Sequence, residues 1–376
     1  MKVRFIAFNT PEQLHADLPG GIEWPPHWAG PVTGVAAVFH EIAADDAGLA
    51  AIDASFRFCM ESAVVLVAPD FAGAETKANN PAAQGMADAW RAYSGRLDPV
   101  LYCPCGDLRL RGRPKVMGIL NVTPDSFSDG GRFLGLDAAL AQAECMVVAG
   151  ADMLDIGGES SRPGADPVSL NEELHRVIPV IEAIRKRFKL PISIDTYKSG
   201  VARKAIEAGA DIVNDISGFS ADAQMAETVA ELKVPAILMH MKGEPKTMQA
   251  NPVYRDLVGD IIDSLAQSIA RAESAGMQRS QIVIDPGIGF GKSRPDNFVL
   301  LRRLREFLAL GCPMLLGASR KSFIGWALDR PESDRLAGSL AAATVAVMHG
   351  AHILRVHDVQ ATRDAVEIAW RIQTAN

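Results

Sequence analysis

From residue 115 to the C-terminus, short β-branched apolar runs alternate with longer stretches whose apolar residues return every three or four positions. The first pattern is that of strands buried on both faces and the second that of helices with one buried side. Their alternation predicts successive βαβ units with parallel strands. Eight runs stand out, at 116–120, 153–156, 192–194, 212–213, 236–239, 282–284, 314–316 and 353–356. Between them the helical period is clearest at 137–149, 171–188, 199–208, 255–275, 295–310 and 334–349. Eight strand-then-helix units in about 260 residues match a closed (β/α)8 TIM barrel. The structural runner-up is an open doubly wound sheet, which would show a glycine-rich dinucleotide turn after its first strand. Asn121-Val-Thr-Pro is not that turn.

Residues 1–98 follow another rhythm, with strands expected at 3–8, 32–39 and 63–68 and helices at 44–58 and 82–93. Pro25-Pro26 and the polar stretch 73–80 interrupt it. The predicted division is an N-terminal extension over 1–98, a small α/β domain or arm of unread function, and a barrel over 99–376. No catalytic motif or repeat is visible in the extension, and its His15, His27 and His40 are scattered.

Composition narrows the function. A chain of 376 residues, 48% hydrophobic and 22% charged, buries a full core. Its net charge of −7 argues against a general nucleic-acid binder, which needs a basic surface to displace counterions. No apolar run approaches the roughly 20 residues of a membrane-spanning helix. Met1-Lys2-Val3-Arg4 leads into no secretory segment, so the expected location is cytoplasmic. The five cysteines lack framework spacing. Cys103-Pro104-Cys105 has no second Cys or His pair nearby to complete a tetrahedral zinc site, so the thiols read as structural.

In a β/α barrel the active site lies at the C-terminal ends of the strands. Here those ends are polar: Asn121, Asp155, Asp195, Asn214-Asp215, His240 and Asp285 follow in order. The seventh strand then opens into Ser319-Arg320-Lys321-Ser322, and the eighth carries Arg355 and His357-Asp358. One such residue explains itself as a cap or a loop contact. Many converging on an apolar barrel each cost desolvation unless a partner or ligand satisfies them. They sort into acceptors (Asp195, Asn214, Asp285) and cations (Arg162, Lys321, Arg355, His357), which predicts one subsite for a heterocycle rich in N–H groups and another for anions. The bland reading is that several pair with one another as salt bridges.

Two loops sharpen the picture. Met117-Gly-Ile-Leu-Asn-Val-Thr-Pro-Asp-Ser-Phe-Ser-Asp-Gly-Gly131 and Asp155-Ile-Gly-Gly-Glu-Ser-Ser-Arg-Pro-Gly164 closely resemble the signature loops of dihydropteroate synthases. Ile194-Asp-Thr196, Asn214-Asp-Ile216, Met239-His-Met241, Asp285-Pro-Gly-Ile-Gly-Phe-Gly291, Ser319-Arg-Lys-Ser322 and Arg355-Val-His-Asp-Val359 follow in the family's order. The resemblance runs from about residue 101 to the C-terminus and leaves the extension outside.

The resemblance implies an enzyme of folate synthesis that condenses a dihydropterin methyl diphosphate with para-aminobenzoate, releasing diphosphate. It gives Asp195, Asn214 and Asp285 to the pterin ring, with Lys321 reaching the ring's carbonyl edge. Arg355 and His357 become diphosphate anchors. Asn121 becomes the ligand of Mg²⁺, an ion that keeps several waters and takes phosphate oxygens; the bland reading of Asn121 is a turn contact before Pro124. By resemblance, two glycine-rich loops close over the substrates. Phe127, Ser161, Arg162 and Pro163 complete the aminobenzoate pocket with Lys321 and Ser322, Ser161 also touches the pterin diphosphate, and Asp129 stabilises a cationic methylene. Ser322 is expected to open a helix. Ser161 stands where the family usually has threonine, which keeps the hydroxyl and drops a methyl. Sulfonamide inhibition and a homodimer through the outer helices are also implied; Ala-rich 336–347 suits packing against a partner or against the barrel. Two alternatives share the pterin contacts: a barrel serving methyl transfer, which has no use for Ser161-Arg162-Pro163 or Ser319-Arg-Lys-Ser322, and a catalytically silent pterin-binding homologue.

Overall fold

The computed structural model describes residues 2–8, 17, 34–40, 56–60, 63–68, 71, 81–94, 98–122, 132–160, 166–244 and 246–375. They form two compact units. The first contains residues up to Leu97 and takes in two later segments, Arg255–Asp260 and Arg303–Gly311. The second contains the rest from Asp98 onward.

The first unit is built on an antiparallel sheet of β1 (Lys2–Phe8), β2 (Gly34–His40), β3 (Phe56–Met60) and β4 (Ala63–Ala68), in the order β1-β2-β4-β3. Helix α1 (Pro81–Tyr93) supplies the other half of its core. Phe5, Ala37 and Leu66, in register across three strands, point to the same face and meet Phe71, Trp90 and Tyr93. The Phe5 ring lies edge-on to Trp90 with centroids 5.2 Å apart, a geometry favoured by the ring quadrupoles. One expectation is overturned here. Residues 56–58, read as the end of a helix over 44–58, belong to β3. Phe56-Arg57-Phe58 alternates with period two and finds Val67, Leu66 and Val65 opposite, so cross-strand pairing overrides the helical reading. Residues 44–55 lie outside the described residues.

The second unit opens with a hairpin of β5 (Val100–Cys103) and β6 (Gly106–Arg109), whose turn is Pro104-Cys105. Leu101, Leu108 and Leu110 pack against Met117, Met153, Ile237 and Ile353 near the starts of barrel strands, so the hairpin seals the N-terminal end of the barrel. The Cys103 thiol faces this apolar cluster, and burial pushes its pKa upward, as expected of an inert structural thiol.

Eight parallel strands follow: β7 (Lys115–Asn121), β8 (Met153–Gly157), β9 (Ile192–Asp195), β10 (Ile212–Asp215), β11 (Ala236–Met239), β12 (Ile282–Asp285), β13 (Leu315–Leu316) and β14 (Ile353–Val356). Sequential neighbours pair from β7 to β12, β14 pairs with both β13 and β7, and a parallel bridge from Ile284 to Met314 closes the ring. The strands are buried almost throughout, which is why they read as continuous apolar runs. The predicted (β/α)8 barrel is the observed fold.

The outer ring comprises α2 (Arg132–Val148), α3 (Leu170–Arg187), α4 (Ser199–Glu207), α5 (Met225–Leu232), α6 (Leu257–Ser274), α7 (Arg294–Arg302), α8 (Ser322–Leu328), α9 (Leu336–Met348) and α10 (Val359–Thr374). The single helix expected over 295–310 is two elements. It breaks at Arg303 (φ −101°, ψ 14°), and a 3-10 helix, Leu304–Leu310, follows. The Arg303 guanidinium grips Glu306 three residues on, with Nε to Oε1 at 2.6 Å and Nη2 to Oε2 at 2.9 Å.

Candidate active site

Each polar strand end is delivered by the same local logic. The last apolar residue of a parallel strand is held by ladder bonds on both sides, and the residue after it emerges where the ring of strands opens. Asn121, Asp195, Asp215 and Asp285 are the final residues of β7, β9, β10 and β12, and His240 directly follows β11. Asp155 is different. It is the middle residue of β8 and fully buried.

Arg355 from β14 crosses to two of these carboxylates. Its Nε donates to Asp155 Oδ2 at 2.6 Å and its Nη2 to Asp195 Oδ2 at 2.7 Å. Asn214 Nδ2 lies 3.3 and 3.4 Å from the Asp155 oxygens. Beyond Asp195, Gly157 leaves an opening: a Cβ there would stand 3.7 Å from both Asp195 Oδ2 and Asn121 Oδ1. On the other side, Gly317 lies between Arg355 and the Lys321 amine. Lys321 donates to the Ile288 carbonyl and sits 4.6 Å from the centre of the Phe290 ring. The predicted Asn121, Asp195, Asn214, Asp285, Lys321, Arg355 and His357 are thus linked around one barrel mouth. Ser322 begins α8, as expected, with Lys321 as its N-cap. Phe127, Asp129, Ser161, Arg162 and Pro163 lie outside the described residues.

Some of the acceptors and cations pair with one another, as the bland reading of these residues allowed. Arg355 bonds directly to the acceptor Asp195, and Asp285 and Lys321 influence each other's ionisation. Acceptors and cations interleave because a buried carboxylate without a cation is too costly to keep.

Burial leaves most of the set short of comfortable ionisation. It pushes Asp195 up to about 7 against the pull of Arg355, with Asp155, Glu173 and Asp215 adding to the rise. Burial also raises Asp285, opposed by Lys321, the Gly287 N–H, Lys292 and Arg355. Lys321 falls to about 8, again first through burial, with Asp285 resisting. His357 falls to about 4 through burial and the nearby Arg355 and Arg320, so its ring is neutral at pH 7. Its Nδ1 lies 3.1 Å from Ser319 Oγ, which also accepts the His357 backbone N–H at 3.2 Å. Arg355 alone is driven further into its charged form, the two carboxylates outweighing burial. Perturbation of this kind, concentrated in one concavity, marks a functional site.

Sequence reading did not assign roles to three supporting groups. Asp155 anchors Arg355 from the barrel interior, Ser319 orients His357, and Lys292 is buried against His240. Asp155 and Ser319 stood inside recognised motifs, and Lys292 is the residue immediately after one. Nothing in strand or helix periodicity separates such inward supports from the groups they support.

Closed parallel barrel and polar mouth together define a barrel of the pterin-binding class, and the model of the family described as pterin binding enzyme matches residues 117–357. The dihydropteroate synthase of Haemophilus influenzae is 50% identical over 272 residues, which span 72% of this chain and 97% of that protein. That of Escherichia coli is 51% identical over 255 residues, 68% of this chain and 90% of the relative. Among solved structures, Yersinia pestis dihydropteroate synthase in complex with a sulfonamide drug matches with a TM-score of 0.70 and 46% identity, covering 73% of this chain and all of that one. The Xanthomonas albilineans enzyme with 4-aminobenzoic acid gives the same TM-score and identity over 74% of this chain and all of its own. The chain belongs to the dihydropteroate synthases, transferases of folate biosynthesis.

Proposed function

We propose that the barrel condenses a 7,8-dihydropterin-6-ylmethyl diphosphate with para-aminobenzoate, giving dihydropteroate and diphosphate. The observation that carries this reading is the Arg355 bridge between Asp155 and Asp195, with Asn214, Asp285 and Lys321 around it. Asp195, Asn214 and Asp285 offer acceptors and an amide to the amino-pyrimidine edge of the pterin, and Lys321 offers a donor to its carbonyl. Arg355 spends Nε and Nη2 on carboxylates; its Nη1 makes no hydrogen bond to another described residue and is available to a phosphate oxygen. His357, neutral, contributes a ring N–H beside it.

The donor set also bears on Mg²⁺. Among the described residues no cluster of three or more His, Cys, Asp or Glu is placed to hold a metal. The hard amide oxygen of Asn121, beside the opening at Gly157, fits an ion that draws its other ligands from water and phosphate. When bound there, Mg²⁺ supplies charge neutralisation for the leaving diphosphate. The protein's own residues do the rest. Arg355 and His357 hold the leaving group as the methylene C–O bond breaks, the amine nitrogen forms the new C–N bond, and that nitrogen then sheds its proton. Positioning and exclusion of water supply most of the acceleration, because an arylamine needs little base assistance. Phe127, Ser161, Arg162, Pro163 and Ser322 belong to the aminobenzoate side of this reading, and Asp129 to stabilisation of the cationic methylene.

The test is diphosphate release by the full chain with Mg²⁺ and the pterin substrate. Release that depends on added para-aminobenzoate is expected. Its absence from folded protein overturns the proposal. Sulfanilamide is expected to compete with para-aminobenzoate, as the drug complex of the Yersinia relative supports.

A cytoplasmic homodimer completes the reading. No helix among the described residues is long and apolar enough to cross a membrane. Exposed Trp326, Leu336, Val345, Met348, Ile368 and Ile372 on α8, α9 and α10 give a second copy apolar surface to cover. Sedimentation equilibrium checks the dimer; a monomer at micromolar concentration contradicts it.

A further inference from the structure

Lys292 is 1% exposed, a burial that lysine seldom tolerates. Its amine lies 2.8 Å from His240 Nδ1 and 3.0 Å from the His240 carbonyl oxygen. Both contacts fall on the residue that directly follows β11. His240 in turn donates its backbone N–H to the Asp285 carbonyl at 2.9 Å, tying β11 to the last residue of β12.

The turn after Asp285 closes the same knot. Gly287 adopts φ +69°, and a Cβ there would stand 2.0 Å from the His240 carbonyl and 3.0 Å from the Lys292 amine. Only glycine fits that backbone against that carbonyl. The Gly287 N–H then donates to Asp285 Oδ1 at 2.7 Å, which fixes the direction of the carboxylate. One buried amine therefore bears on the strand end, on the turn and, through both, on Asp285.

We propose that Lys292 is a positioning residue for Asp285, holding the pterin-binding carboxylate through His240 and the turn at Gly287. The inference rests on the assignment of Asp285 to the pterin ring. Chemistry favours this over simple space-filling. An apolar side chain of similar length would fill the volume without the cost of desolvating an amine. The amine gives what no such side chain can: donors to a carbonyl and a ring nitrogen at once; burial drives its pKa well down, with Asp285 resisting. His240 is suited to the accepting role. Burial and the charges of Lys292 and Lys242 depress its pKa to about 2, so the ring is neutral. Lys292 and Lys321 both favour the ionised form of Asp285. Lys321 also lies against Phe290, whereas Lys292 is fully buried against His240.

A double-mutant cycle on the full chain tests this, with binding of the dihydropterin methyl diphosphate read by titration calorimetry without the amine. Lys292→Met is expected to weaken that binding about tenfold, while the KM for para-aminobenzoate stays within about twofold. In an Asp285→Asn background the same replacement is expected to change pterin affinity less than about twofold, because its target is already disabled. Equal losses in both backgrounds mean that Lys292 acts elsewhere and overturn the proposal. If Asp285→Asn alone leaves pterin affinity unchanged, the underlying assignment of Asp285 fails instead. Should Lys292→Met not fold, two histidine variants decide. His240→Asn keeps an acceptor where Nδ1 stands and is expected to bind the pterin within about threefold of the parent, whereas His240→Leu loses about tenfold. Identical affinities for these two overturn the link.

Discussion

In the N-terminal unit, Arg4 and Arg303 are buried among Asp17, Asp256 and Glu306; at the barrel mouth, half-buried Arg355 lies against Asp155 and Asp195. The residue types are nearly the same, and the closest pairs of both sit at 2.6 Å. The ionisation of Asp256 and Asp195 is not the same. Burial works against Asp256, yet Arg4, the Gly259 N–H and Arg303 outweigh it and hold the carboxyl below its usual range. Burial likewise opposes Arg303, and Glu306, Asp17 and Asp256 carry it above its usual value. In the mouth, burial wins at Asp195, Asp285, Lys321 and His357. A network that holds groups such as Asp256 and Arg303 in their charged forms serves the fold. One that holds charges burial opposes is waiting for something to complete it.

Breaking the mouth is expected to give the largest effect. Arg355→Met strips a partner from two buried carboxylates and a donor from the leaving diphosphate, so kcat/KM should fall by about a thousandfold in steady-state assays. A loss under tenfold would show that Arg355 only holds the barrel together.

Breaking the N-terminal network should do the reverse. Arg4→Met leaves Asp256 and Glu306 short of a cation and is expected to cost about 3 kcal/mol in denaturant unfolding, with kcat/KM within about twofold of the parent under folding conditions. A selective loss of turnover in folded protein would erase the distinction between the two regions.

A gentler probe uses pH, since the two carboxylates carry opposite signatures. Asp256, held below its unfolded value, contributes stability above the ordinary carboxylate range and loses it as pH falls through the lowered value. Asp195 is raised to about 7, so the native state takes up a proton more readily than the unfolded chain does, and ionising it costs stability as pH rises toward 7. Asp195→Asn should therefore unfold at higher denaturant than the parent at pH 8, by about 1 kcal/mol or more, with the advantage vanishing toward pH 4. An advantage independent of pH would refute the elevated ionisation.

The smallest effect belongs to a pair in neither network. Arg203 and Glu231 meet on the surface at 2.6 Å, both well exposed. Arg203→Ala should change stability by less than about 0.5 kcal/mol, which sets the baseline for the other measurements.

Much of the barrel was legible because its signals are local. A parallel strand announces itself in four or five residues, and its exit in the next one. The extension's strands at 3–8 and 63–68 and its helix at 82–93 were legible for the same reason. Residues 56–58 were not, because only the strand opposite distinguishes Phe56-Arg57-Phe58 from a helical turn. Distance hides the rest. Arg355 and Asp155 are 200 residues apart and Arg4 and Asp256 are 252 apart, so neither pair leaves a trace in periodicity. Which acceptors and cations of the mouth pair with one another was hidden on the same ground, since side-chain chemistry was visible and pairing was not. The family resemblance covered the mouth and, of its supports, Asp155 and Ser319 but not Lys292. Lys292 follows the Asp285–Gly291 motif by a single position, and its burial appears only when β11 and β12 are placed side by side.

The N-terminal unit borrows two segments from the far half of the chain, and this sets a timetable for its manufacture. A ribosome adding about 5–20 residues per second releases Arg4 on the order of ten seconds to a minute before it releases Asp256. Through that interval the first strand can form its sheet but not seat its arginine. The stretch made first is thus among the last to be finished, and a chain stalled before residue 303 would carry an unsealed N-terminal unit, open to chaperones and proteases, however well its early barrel strands had begun to pair.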